Sequence, residues 1–423
     1  MKKVFLKVGL CLAILQMLLT PVRGEEAPPQ QASAPAPEQP KPLAPGWLSL
    51  DGSVGLIDKQ MDAATAALSN ALFGINITGF LDAGWTLSTN HPGSVWKNNI
   101  SGRYFDQDQN QVVFNDFNLT LDKPEKDWGV GFHVVGDFGR TGQLLRQATR
   151  WRDSYSPTSG ATSAELREAY ATYTVPIGAG LQIKGGKFVT PLGTETLLAP
   201  GSYNDEISRS FLFNFAVPLT HTGALFTYPV LKILSLSAGP VTGWDDPHDN
   251  NNRPKFLGGV NFTPVDMFSL ASNIIAGPEQ THNNGNNRVT WSNVATIKPI
   301  DPLTVYLEYT YGHEDKVTPS LRDGIWQGWA AVASYNWTDR FNTALRGEIF
   351  KDTDGVRTGL SQDVRLSEFT LAATYKFTAK FLGRAELRND FSNRDFFAIG
   401  NSGRTDQHQT TIAMQLIYGF GNF

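Results

Sequence analysis

From residue 73 to the C-terminus the chain runs in segments of about ten residues in which apolar and polar side chains alternate. A two-residue period gives the two faces of a strand opposite chemistry. In 303–311, Val305, Leu307, Tyr309 and Tyr311 fall on one face, and Thr304, Tyr306, Glu308 and Thr310 on the other. Val113, Phe117, Leu119 and Leu121 likewise oppose Asp116, Asn118 and Thr120. Leu345 and Ile349 oppose Arg346 and Glu348, and Ala385 and Leu387 oppose Arg384, Glu386 and Arg388. The last segment sets Ile412, Met414, Leu416 and Tyr418 against Gln409, Thr411 and Gln415. Sixteen such segments are read, near 73–89, 112–122, 128–138, 164–175, 181–189, 220–229, 232–243, 256–263, 266–276, 288–298, 302–312, 325–337, 340–350, 364–377, 380–391 and 407–420.

The gaps between segments alternate long and short. Short gaps hold turn formers, such as Pro124, Pro176, Pro229, Pro264, Pro299 and Pro302. Long gaps, such as 90–111, 139–163, 277–287 and 392–406, are polar and rich in Gly, Asn and Asp. In hydrocarbon no backbone group can go unpaired, so a sheet spans a bilayer only when it closes on itself. An even number of two-faced strands, tightly turned at one end and long-looped at the other, predicts an all-β fold, a transmembrane antiparallel β-barrel of about sixteen strands with periplasmic turns and extracellular loops. Aromatics mark both strand ends. Trp128, Tyr173, Tyr228, Phe268, Tyr335, Trp337, Phe341, Phe377 and Phe381 adjoin short turns; Trp85, Phe138, Trp244, Tyr311, Trp326 and Phe350 adjoin long loops.

The rest of the chain divides into three zones. Lys2, Lys3 and Lys7 precede the apolar stretch 8–19, and Val22-Arg23-Gly24 suits cleavage, so 1–24 reads as a signal peptide. Cys11, the single cysteine, lies within it and excludes a disulfide framework in the mature chain. Removing Lys2, Lys3, Lys7 and Arg23 from 36 Lys and Arg leaves 32 against 40 Asp and Glu, moving the charge from −4 to −8. That balance, without a basic tract, excludes a nucleic-acid binder. Residues 25–46 hold seven prolines and read as a solvated linker. Within 47–72, Ile57, Met61, Ala64, Leu68 and Leu72 recur at helical spacing and predict a short amphipathic helix.

GKFVTPLG at 186–193, SRSFLFNFAVPLTHTGAL at 208–225, GWDDPHDNN at 243–251 and EYTYGHED at 308–315 resemble the OmpL-like family of β-barrel porins, from about Gly74 onward. The resemblance implies an outer-membrane channel for passive permeation, without naming a solute. The surrounding partners would be outer-membrane lipids and lipopolysaccharide, with the barrel-assembly machinery recognising the last strand and its terminal Phe423.

A sixteen-stranded barrel is too wide for its side chains to fill, so what narrows it sets selectivity. The loop 190–219 is the longest in the barrel, yet it carries Leu197, Leu198, Phe211, Leu212, Phe213 and Phe215, which favour burial. It is predicted to pack on the inner wall as the constriction, with Glu195, Tyr203, Asp205, Glu206 and Arg209 near the path. Alternation places Lys184, Lys187, His221, Glu308, Arg346, Glu348, Arg384, Glu386 and Arg388, with Arg167, toward water. No metal or cofactor motif is present: Asp106-x-Asp108-x-Asn110 lacks the glycine and glutamate of a calcium loop, and Asp245, Asp246 and Asp249 read as a solvated loop. No G-x-S-x-G, H-E-x-x-H or P-loop spacing occurs, so an enzyme is not expected. The alternatives are a structural barrel or adhesin plugged by the Ala-rich helix, and a lipid hydrolase using His221 with Ser208 or Ser210.

Overall fold

The computed structural model describes residues 50–72, 74–125, 129–148, 163–197 and 204–421. The signal peptide, the proline-rich linker, Trp128, Tyr203 and Phe423 lie outside the described residues. Helix α1 (Leu50–Ala71) precedes the first strand. The strands in the first half are β1 (Asn76–Ser88), β2 (Val112–Lys123), β3 (Gly131–Phe138), β4 (Ala164–Val175), β5 (Leu181–Val189), β6 (Thr220–Leu231), β7 (Leu234–Val241) and β8 (Lys255–Val265). They continue as β9 (Phe268–Pro278), β10 (Asn287–Ile300), β11 (Leu303–Glu314), β12 (Gly324–Asn336), β13 (Phe341–Asp352), β14 (Val364–Lys376) and β15 (Phe381–Ser392). A small hairpin, β16 (Phe397–Ile399) and β17 (Arg404–Asp406), decorates one loop before β18 (His408–Gly421).

Strands β1 to β15 and β18 close into one antiparallel barrel of sixteen strands among the described residues. The seam is β1 against β18, in register from Thr78 opposite Gly421 to Ser88 opposite Thr411. Every strand found by alternation is present, and the gaps run long and short in strict succession. Loop 139–163 also contains a helix, α2 (Arg140–Ala148). No described helix is long and apolar enough to cross a membrane; the strands do the crossing.

The exposure pattern is inverted relative to a water-soluble protein. Leu307, Trp329, Leu345, Ile349, Phe369, Leu371, Leu387, Ile412, Met414 and Leu416 are exposed on the outside, while their strand neighbours Glu308, Arg346, Glu348, Glu368, Thr370, Arg388 and Thr411 are buried. Apolar area outside and polar groups inside suit a hydrocarbon solvent. One segment departs from the expected alternation. A bulge between Asp82 and Ala83 skips Asn115, so Phe114 and Val112 face out and Val113 moves to the inner side, opposite Gly84.

Three aromatics assigned to the outer girdle are also corrected. Trp326 and Phe350 are fully buried and Trp244 nearly so, all within an interior cluster with Phe211, Leu212, Ala216 and Phe397. They take inward positions because an inserted loop offers them an apolar surface. Outward rings do persist at the short-turn end, where Tyr335 packs on Trp337 at 4.6 Å and Phe377 on Phe381 at 4.9 Å.

Helix α1 contacts β1 and β18 at that same end: the Tyr418 hydroxyl donates to Asp58 at 2.9 Å, and Lys380 pairs with Asp62. Tyr418 belongs to the outward register, so these contacts hold the helix to the seam.

Leu345 sits mid-strand on the lipid face. Leu345→Arg is expected to cost about 2–4 kcal/mol, read as a lower denaturant midpoint of the barrel refolded in vesicles; an unchanged midpoint would place that face away from lipid.

Candidate functional site: the inserted loop and its wall

The loop between β5 and β6 lies against the inner faces of β9 to β15. Near its start, Pro191 O accepts from the Asn273 amide (2.7 Å), Gly193 N–H donates to Ser292 (3.0 Å) and Thr194 N–H to Glu308 (2.8 Å). Further on, Asp205 accepts from the Ser334 hydroxyl at 2.5 Å. The N–H groups of Ile207 (2.6 Å) and Ser208 (3.1 Å) donate to Glu386, and those of Phe211 and Leu212 to Glu348. The loop's carbonyls meet cations: Arg346 donates to Ser208 O at 2.9 Å and Arg388 to Arg209 O at 2.6 Å.

Residues Leu212–Ala216 form one wide helical turn. Its start rests on the Glu348 carboxylate. At its end Trp326 Nε1 donates to Ala216 O (3.2 Å) and Arg357 to Phe215 O (2.6 Å). Anion at the N-terminus and donors at the C-terminus satisfy the groups such a turn leaves open. Arg357 also lies over the rings of Trp244 (4.7 Å) and Trp326 (5.3 Å), and burial pushes its guanidinium down to about 10. The wall is thinned to admit the turn. A Cβ on Gly328 would approach Leu212 Cδ2 to 2.7 Å, and one on Gly312 would strike the Trp326 indole at 1.9 Å.

The anchoring charges are tied to one another. Arg346 bridges Glu195 (2.9 Å) and Glu368 (2.7 Å), and Arg388 holds Asp390 at 2.6 Å. Arg103, from loop 89–111, reaches Asp390 and the Thr411 hydroxyl, both at 2.9 Å. Sequence alone gave no sign of Arg103, Arg357, Glu368 or Asp390 as members of this network, because no local pattern shows which loop residue folds back onto which strand.

These contacts correct the expectation that Glu308, Arg346, Glu348, Glu386 and Arg388 face water. They take inward register positions, but each is at least nine-tenths buried beneath the loop. Glu195 is likewise turned to the wall, accepting from the Ser210 N–H (2.9 Å) and hydroxyl as well as from Arg346. Arg384 is partly accessible and donates to Thr374 at 3.2 Å. Lys187 occupies the register position opposite Ala169, between the inward Gly186 and Phe188, and its ammonium pairs with Glu165 at 2.5 Å instead of facing the lumen. Arg167 is buried, donating to Leu197 O.

His221 is buried, with Nδ1 3.0 Å from Gly243 O and Nε2 3.0 Å from the Thr190 hydroxyl. Ser208 bonds to Arg346 and Arg388, and Ser210 to Glu195. The structure does not assemble the hydrolytic pair. The acidic loop 245–252 gives its carboxylates to protein donors: Asp245 accepts from Leu219 and Thr220 N–H, and Asp249 from Lys255. Asp108 is held by Arg140 at 2.7 Å.

Lys184 is different. It shares the inward face with Thr172 and Leu225, lies 4.7 Å over the Tyr170 ring, and has no carboxylate within ion-pair distance among the described residues. Nearby His133 stacks on Tyr170 at 5.1 Å and contacts Asp122 at 2.9 Å. Asp122, His133, Tyr170, Thr172 and Lys184 all keep accessible surface. The inner surface of β2–β5 is thus accessible near the short turns, while toward the long loops Asp116, Asn118, Asp137, Glu168 and Phe188 are buried.

Residues 74–420 match the family described as "Putative beta-barrel porin-2, OmpL-like". The chain belongs to that family. It is an outer-membrane β-barrel porin, a passive diffusion channel. Solved outer-membrane barrels share its fold at low identity. The channel DcaP of Acinetobacter baumannii aligns over 82% of this chain and 97% of its own, with 13% identity and a TM-score of 0.53. The anion-selective porin from Comamonas acidovorans aligns over 82% and 99%, with 10% identity and a TM-score of 0.55. OmpT of Vibrio cholerae aligns over 82% and 97%, with 11% identity and a TM-score of 0.53. Among curated proteins none matches.

Two outcomes test this porin's anchor. Arg346→Ala would strand Glu195 and Glu368 in a buried site at a cost of about 3–5 kcal/mol, and should open residues 190–219 to limited proteolysis; a variant as resistant as the parent contradicts the anchoring. Glu206 gives a pH signature. It is 2% exposed, its Oε1 is unpartnered among the described residues, and burial pushes its carboxyl from 4.5 up to about 8. The folded state keeps a proton that the unfolded state releases, so this contribution is complete below about pH 4.5 and falls as pH rises to about 8. Glu206→Gln should flatten that decline in the denaturant midpoint; parallel curves would refute it.

Proposed function

We propose that the loop 190–219 sets the porin's constriction by covering the β9–β15 wall, so that solutes pass along the opposite wall. The observation that carries this is the asymmetry of the inner face. The inward positions of β12–β14 are buried along their whole length, through to Ser334, Asn342 and Thr374 near the short turns, whereas those of β2–β8 are buried only toward the long loops, as at Asp116, Asp137, Glu168, His221 and Leu257, and Asp122, His133, Thr172, Lys184, Ser237 and Asn261 meet water.

Among the loop's candidate path residues, Asp205 is partly accessible, while Glu195, Glu206 and Arg209 are buried and act in holding the loop. Burial lowers the Arg209 guanidinium from its ordinary range. Selectivity then rests on the charges left in water, Lys184 and Asp122 beside His133 on one wall, Arg384 on β15 and Asp205 on the loop. A transverse arrangement of opposite charges discriminates by ion sign and orients polar solutes. At the membrane, lipopolysaccharide would surround the long-loop end, and the assembly machinery would meet β18 at the seam.

Planar-bilayer reversal potentials under a salt gradient test the reading. Lys184→Glu should move selectivity toward cations, and do so much more than Arg253→Glu, which changes an exposed loop charge. Equal shifts would move the constriction elsewhere. The extent of interior burial favours one competing reading, a plugged structural barrel; purified protein without conductance would establish that and rule out permeation along the open wall.

A further inference from the structure

At the long-loop rim, away from the lumen, His313, Asp315 and Asp323 each offer a ligand atom, and these atoms lie within 4.8 Å of one another. His313, next to last in β11, continues the outward register beyond Tyr311; Asp315 opens the following loop and Asp323 closes it, just before β12. The loop therefore returns its second carboxylate to the imidazole from which it started.

His313 Nε2 is 3.4 Å from Asp323 Oδ2, and Nδ1 is 3.7 Å from Asp315 Oδ1. One ion takes a single imidazole nitrogen, and ligands about 2.0–2.2 Å from a tetrahedral metal stand about 3.4 Å apart. The His313–Asp323 spacing already has that value, and the Asp315 oxygen, within 4.8 Å of the other two ligand atoms, closes on the ion by a side-chain adjustment. Each carboxylate is also fixed from behind. Asp315 Oδ2 accepts from Asn287 N–H at 2.8 Å, and Asp323 Oδ1 from Lys316 N–H at 3.0 Å, which turns the other oxygen of each toward the imidazole. Such outer hydrogen bonds orient carboxylate ligands. Gln280 ties the neighbouring loop to Asp315 O at 2.8 Å.

We propose that His313, Asp315 and Asp323 form a surface site for a divalent transition cation of the zinc class, reached from the external medium. One imidazole nitrogen with two carboxylate oxygens is a borderline-hard donor set, suited to Zn2+, Ni2+ or Cu2+ more than to Mg2+, which keeps its water and oxygen shell. Water completes the coordination, since the site is partly exposed. Lys316 and Arg322, on the same loop, are the nearby cations.

The test is calorimetric titration of the folded, detergent-solubilised full barrel with ZnCl2. The parent and a His282→Ala control, which changes a neighbouring rim histidine, are expected to bind one Zn2+ at least tenfold more tightly than His313→Ala or Asp323→Asn. Cu2+ bound to the parent should show hyperfine coupling to a single imidazole nitrogen, absent in His313→Ala. Equal titrations for parent and His313→Ala, or copper coupling that survives the substitution, overturn the site. Because it lies on the outer rim, conductance is expected to be the same in all four proteins, and failure of the zinc titration leaves the channel reading untouched.

Discussion

The interior of this porin depends on buried carboxylates that accept hydrogen bonds from the backbone of an inserted loop. Glu308, Glu348 and Glu386, each on a different strand, take the N–H groups of Thr194, of Phe211 and Leu212, and of Ile207 and Ser208. A loop inside a barrel cannot give its amides to a neighbouring strand, and an unsatisfied buried N–H is costly. Carboxylates solve this because each has two oxygens, so that Glu348 and Glu386 accept from two successive N–H groups, and charge-assisted bonds are the stronger kind. On the same wall Arg346 pairs with Glu195 and Glu368 and Arg388 with Asp390, which Arg103 also reaches from another loop.

The apolar part of the packing follows from that polar frame. Once Glu348 fixes the start of the turn at Leu212–Ala216, Phe211 and Leu212 are carried against Trp326 and Phe350, and Gly328 and Gly312 leave the space they need. Closure of the sheet and its inverted polarity make the membrane-spanning shell. The loop lies across the inner faces of β9–β15, and Leu192 and Val217 continue its packing onto Val241 and Leu257 of β7 and β8, which leaves the turn-proximal inner surface of β2–β8 accessible.

The shell was legible in the sequence because its cause is local: a two-residue period and alternating gap lengths are set by hydrocarbon outside, water inside and the need to close the edge. Val113 was misplaced because a bulge inserts one residue, which period counting cannot see. Trp244, Trp326 and Phe350 were assigned to the lipid interface because an aromatic near a strand end fits either a membrane girdle or a buried contact with an inserted loop. The hydrophobic content of 190–219 pointed to burial, yet the roles of Glu348, Glu386 and Arg346 were not visible. Register indicates which face a charge takes, whereas the partner of each of these lies more than a hundred residues away, on a loop with no period.

Amide hydrogen exchange addresses the anchoring most directly. The N–H groups of Ile207, Ser208, Ser210, Phe211 and Leu212, all donated to buried carboxylates, should exchange as slowly as those of β12 and β13 in the folded barrel. Exchange of these amides at the rate of a solvated loop, with the strands still protected, would contradict the account.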